Sequence, residues 1–103
     1  MIEEGRLAQL LEAYLAANLA TNMLWAIYCV WCRKHYGKGA GAIDHRGKAR
    51  YNPLYILYKD AEAKRLCISR AITRELGFRG WMRVLLAGSS YDMHCTMLTE
   101  AGV

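Results

Sequence analysis

Cys29, Cys32 and His35 stand at i, i+3 and i+6, and His94 and Cys95 stand side by side far down the chain. Thiol and imidazole groups of this kind bind zinc, or act as a nucleophile and its base. A structural zinc site takes four ligands, usually from two knuckles, and no turn flanks the Cys29–Cys32 pair to build one. A redox C-x-x-C lies between a strand and a helix, whereas this one falls late inside a helical run. Neighbours such as His94 and Cys95 point apart on a helix, and no third group is placed to orient the base. Gly41 to Lys48 imitates a phosphate loop, but five residues separate its glycines where four are required. Ala49 also occupies the Ser/Thr position. No catalytic, metal or cofactor site is therefore expected. The four cysteines read as free thiols of a reducing compartment, with Cys29 and Cys32 in a core.

The charges do suggest a partner. Of the 14 Lys and Arg, 13 lie between residues 33 and 83, against four acids in the same stretch. The first 32 residues carry Arg6 against Glu3, Glu4 and Glu12, and the last twenty carry only Asp92 and Glu100. A basic middle in an acidic frame fits a polyanion such as nucleic acid, and equally fits a solvated helix face. The loop GKGAGAIDHRGKAR (Gly37 to Arg50) offers Lys38, Arg46, Lys48 and Arg50 to phosphates, and Arg79 and Arg83 lie further on.

The elements that carry these groups read as helices. Ala13 to Cys32 is uncharged and long enough for a bilayer, but Asn18 and Asn22 lie one turn apart beside Thr21. Unpaired amides in hydrocarbon cost several kcal/mol, so no membrane partner is expected. A helix apolar all round is buried on several sides, and the 54% apolar content is high for 103 residues. Oligomerisation is the natural outcome, with Asn18, Asn22, Trp25 and Tyr28 at the interface and the two asparagines fixing register. The pattern leaves open whether one helix runs from Ile2 to Tyr36 or breaks near Asn18–Asn22.

A second long helix is expected to begin at Asn52 as N-cap with Pro53 in its first turn, and to end at Gly77. Leu54, Leu57, Tyr58, Ala61, Ile68, Ile72 and Leu76 form its apolar stripe, and Lys59, Lys64, Arg70 and Arg74 its other side. Phe78 and Trp81 are expected to cover the end of the resulting helical hairpin. Ser89 or Ser90 caps a last short helix. The fold class is thus all-α: an antiparallel hairpin of two long helices joined by a Gly-rich basic loop, with short C-terminal helices, and oligomerising. Residues 1–88 form the hairpin domain and 89–103 a tail or short helix. The acidic opening MIEEGR is unlike a secretory leader, so a cytoplasmic location is expected.

The run Gly47-Lys-Ala-Arg50-Tyr-Asn52-Pro53, the helix start LYILYKDAEAKRL, and Leu76-Gly77-Phe78 with Arg83 five residues on resemble the small terminase subunits of tailed phages. Those proteins enter a helix through G-x-x-R-x-[NH]-P with a D-A-E-like centre and leave it through L-G-L-T-P-x-x-R. LWAIYCVWC (Leu24 to Cys32) is similar to their preceding helix, so the likeness covers about residues 15–86. Arg79-Gly80 stands here in place of Thr-Pro, and six residues before Leu7 leave no room for an N-terminal helix-turn-helix. The resemblance implies a non-catalytic subunit that forms a homo-oligomer, usually a ring, and engages viral duplex DNA. It also implies recruitment or regulation of the large terminase subunit, an ATPase and nuclease, in the host cytoplasm. A different class of function fits the same scaffold: a small phage- or prophage-derived inhibitor whose basic face docks on an acidic protein.

Overall fold

The computed structural model describes residues 3–40 and 51–103. They form three helices and, among the described residues, no strand: α1 (Glu4–Tyr36), α2 (Pro53–Leu86) and α3 (Ser90–Glu100). The chain is all-helical, with the long N-terminal helix packed on the second. The basic loop expected to join them, including Arg46, Lys48 and Arg50, lies outside the described residues over 41–50.

α1 is one unbroken helix, with no interruption at Asn18–Asn22. Glu4 in its first turn and Arg33, Lys34 and His35 in its last complement the helix dipole at both ends. It stops at Gly37, whose φ of +72° suits glycine, and whose N–H returns to the Arg33 carbonyl at 2.9 Å. α2 starts where Asn52 Oδ1 accepts the Leu54 N–H at 2.9 Å, with Pro53 ahead of it, where a missing N–H costs nothing.

Gly77 ends the first helical stretch of α2, as expected, and a second stretch follows across a kink. Its φ of 77° and ψ of 165° are non-helical and essentially restricted to glycine, yet the chain returns at once to helix as far as Leu86. FRGWMRVLL is therefore helical, a short stretch of its own beyond the kink. The break also changes the phase of the helix beyond it. Phe78, expected to cover the hairpin end, is 68% exposed, while Trp81 is buried. Leu57 leaves the expected stripe too and faces solvent, whereas Ala61 and Ile72 are buried. α3 begins with Ser89 as N-cap: its Oγ accepts the Asp92 N–H at 3.2 Å and donates to the Asp92 carboxylate at 2.8 Å.

The packing divides into two compact units, one of residues 1–15 with 66–103 and one of residues 16–65. In the first, Leu7 and Leu11 of α1 meet Ile72, Trp81 and Val84 of α2 and Met93 and Met97 of α3. Trp81 is its keystone. The indole N–H donates to Ser69 Oγ at 2.8 Å, which satisfies the one polar atom of a buried ring, and Tyr14 meets it edge-on at 4.7 Å. In the second unit, Tyr28, Cys32 and Ala40 form the buried centre, flanked by Cys29, Trp31, Leu54 and Tyr55. Thr21, buried in α1, satisfies its hydroxyl on the Ala17 carbonyl at 2.7 Å.

Candidate nucleic-acid interface

The cations of the described residues fall into two sets. Four are held by carboxylates: Arg6 by Glu75 at 3.9 Å, Lys59 by Glu62 at 2.8 Å, Lys64 by Asp60 at 3.1 Å, and Arg83 by Glu100 at 2.9 Å. Arg65 is also engaged, donating from Nη1 to Asn18 Oδ1 at 3.1 Å. Arg33, Lys34, Lys38, Arg70, Arg74 and Arg79 are exposed, and no carboxylate among the described residues lies within ion-pair reach of them.

Arg33, Lys34 and Lys38 sit at and just beyond the C-terminal end of α1, within the second unit. The end of a helix favours cations there, so the dipole holds them in place but offsets part of their charge. Beside them Trp31 stacks on His35 at 4.2 Å and meets Tyr36 edge-on at 5.5 Å. His35 Nδ1 donates to the Trp31 carbonyl at 2.9 Å, which fixes the imidazole against the indole. Arg70, Arg74 and Arg79 belong to the first unit. Arg70 and Arg74 are one turn apart and share a face of α2, and Arg74 Nε reaches the Arg70 carbonyl at 3.4 Å.

The sequence candidates are thus sorted by their neighbours. Lys38 and Arg79 are exposed and unpaired among the described residues, whereas Arg83 already has Glu100. Arg70 and Arg74, read from the sequence only as the polar side of a helix, join the unpaired set. Of the residues assigned to a subunit interface, Asn18 has a partner in its own chain, Arg65. Asn22 is exposed, and Trp25 packs on Tyr58 with ring centres 4.9 Å apart. Tyr28 is 1% exposed inside its own unit, 5.5 Å from the Tyr55 ring. Burial pushes its phenol well above the ordinary tyrosine range.

Cys29 and Cys32 share the core cluster of the second unit. Cys32 is fully buried, and His35 is exposed and stacked on Trp31. Cys67 and Cys95 are exposed. No group of three metal-binding side chains occurs among the described residues. Sequence reading passed over one ordered polar cluster on α2. Tyr58 donates to Glu62 Oε2 at 2.6 Å, and Lys59 to Glu62 Oε1 at 2.8 Å. The hydrogen bond to Glu62 raises the Tyr58 phenol and the Lys59 ammonium, and those from Lys59 and Tyr58 lower the Glu62 carboxyl. Its signal was present in the i, i+3, i+4 spacing of Tyr58, Lys59 and Glu62.

α1 is long and apolar enough to cross a bilayer, as are core helices of soluble proteins. No family model, curated protein or solved structure matches the chain.

Proposed function

We propose that the chain is a non-catalytic, homo-oligomeric DNA-binding subunit of the small-terminase type. The observation that carries its DNA-binding part is the imbalance of paired and unpaired charge. Of the acids described beyond residue 50, Asp60, Glu62, Glu75 and Glu100 each hold a cation and Asp92 holds none, yet six exposed bases have no carboxylate in ion-pair reach among the described residues. Such bases neutralise phosphates and release counterions. Helices hold most of them, and a rigid mount lowers the entropy lost on contact. In the second unit Lys38 contacts phosphates, with Arg46, Lys48 and Arg50 assigned to them from the sequence; in the first unit Arg79, Arg70 and Arg74 do so. The contacts read the backbone and so position the protein without specifying sequence. The terminase role, with recruitment or regulation of the large subunit during genome packaging, rests on the resemblance of residues 15–86.

Fluorescence anisotropy with a labelled duplex, at several salt concentrations, tests the DNA-binding part. The affinity is expected to fall by about 0.9 log unit per log unit of salt for each phosphate neutralised. A flat salt response, or no binding in low salt, removes duplex DNA as the partner. An acidic protein surface is then the occupant to test for the same basic face.

A further inference from the structure

α1 has a second apolar face, and it points to solvent. Ala16, Leu19, Ala20, Met23, Ile27 and Val30 recur at helical spacing and are all exposed, with Leu19 at 60% and Val30 at 63%. The buried Thr21, Tyr28 and Cys32 project from the opposite side of the same helix. At each end of the exposed stripe, on the same face, stands one charge: Glu12 before it and Lys34 after it, both exposed.

We propose that this face pairs with the same face of a second copy of the chain, antiparallel, about a two-fold axis at Met23. The proposal concerns self-association alone and does not rest on DNA binding; a two-fold contact closes on a pair, which is not the ring that the terminase resemblance implies. The register comes from the sequence of the face itself. With Met23 on the axis, Met23 meets Met23, Leu19 meets Ile27, and Ala16 meets Val30. In that same register Glu12 meets Lys34 of the other copy, twice by symmetry. A parallel pair would instead put Glu12 on Glu12 and Lys34 on Lys34, and would align the two helix dipoles.

The alanines at 16 and 20 let the helices approach closely, and each larger side chain lies opposite another or opposite alanine. From Glu12 to Lys34 the paired stretch is about 33 Å long at 1.5 Å per residue. Lys34 is the one base this pairing withdraws from DNA. Asn18 plays no part in it, because its amide already faces Arg65 within the chain.

Sedimentation equilibrium of the full chain tests the pairing, with helix content followed by circular dichroism. Wild type is expected to self-associate. Met23→Glu puts two carboxylates on the axis and is expected to weaken association about 100-fold. Glu12→Lys or Lys34→Glu alone is expected to weaken it about 3- to 10-fold, and the double reversal to restore it. Should Met23→Glu lose helix content, the charge reversals decide by themselves, since both positions are exposed.

Association unaffected by all these changes overturns the pairing and leaves a homo-oligomer built through another face. A monomeric wild type at high micromolar concentration overturns both the pairing and the oligomer. A wild type that stays monomeric yet co-sediments with phosphatidylcholine vesicles, through a face that Met23→Glu disables, shows a membrane contact instead.

Discussion

Arg79 and Arg83 lie one helical turn apart, have the same chemistry, and should behave as different residues. Arg83 donates to Glu100 at 2.9 Å, and the Glu100 side chain is only 18% exposed. Arg79 is exposed with no carboxylate in ion-pair reach among the described residues. Replacing each by alanine separates charge available to DNA from charge already used inside the protein. Arg79→Ala removes one phosphate contact, so the salt slope of duplex binding should drop by about 0.9. Over a fourfold change in salt, that one contact corresponds to roughly a 3.5-fold change in affinity. Stability should stay within about 0.5 kcal/mol of wild type, because the side chain packs on nothing that needs it.

Arg83→Ala should do the reverse. It strands the half-shielded Glu100 carboxylate that ties α3 to α2. Arg83 is itself 65% exposed, so solvent screening holds the cost to about 0.5–1 kcal/mol, a loss of a few degrees in Tm. Its salt slope should change by less than half as much as that of Arg79→Ala. Anisotropy titrations from about 50 to 200 mM salt and thermal melts on the same samples supply both readouts. Equal slope changes in the two variants, with Arg83→Ala melting like wild type, would refute the reasoning that the ion pair removes Arg83 from the DNA-facing set.

The packing carries three further expected outcomes. Gly77→Ala forces a side chain into a conformation nearly confined to glycine and should cost about 1–3 kcal/mol in urea unfolding, with the m-value preserved. Trp81→Ala empties the middle of the first unit and leaves Ser69 without its donor, so a loss of about 3–5 kcal/mol is expected, while Trp81→Phe should recover most of it. Glu62→Gln should destabilise by roughly 0.5 kcal/mol at neutral pH, since the site is partly exposed. Because Lys59 and Tyr58 lower the folded-state pKa of Glu62, that advantage is complete above the ordinary glutamate range. It is lost as pH falls through the depressed value, so the two unfolding curves should converge in acid.

What the sequence disclosed was chiefly what neighbouring residues decide. Asn52-Pro53 as a helix start and Ser89 as a cap depend on atoms two or three positions away, and both stand in the structure. The errors arose where distance along the chain matters. Gly77 was recognised as a stop and does interrupt the helix, but the phase of the stretch beyond it was not legible, so Phe78 is exposed while Trp81 and Val84 enter the core. The apolar run of α1 hid its own orientation. Leu11 and Leu19 are chemically identical, yet one is 4% and the other 60% exposed, which only the partner helices determine. The same holds at the candidate interface. Every base was visible, but whether it is neutralised depends on a residue elsewhere, as with Arg83 and Glu100, or Asn18 and Arg65 separated by 47 positions.

The division into two units bears on how the chain is born. Residues 16–65 are contiguous, so every contact of that unit exists once residue 65 has left the ribosome. The other unit is stitched from both ends: Leu7 and Leu11 have no core until Ile72, Trp81, Val84 and finally Met93 and Met97 arrive. During synthesis the first turns of α1 therefore wait with bare leucines while roughly eighty residues are added, an interval of seconds at cellular elongation rates of about 5–20 residues per second. Local helix formation is over in microseconds, so the closing of this unit is paced by translation and not by the chain's own motion. A stop codon or cleavage that removes α3 would leave Leu7 and Leu11 with Ile72, Trp81 and Val84 but with the side that Met93 and Met97 cover open to water.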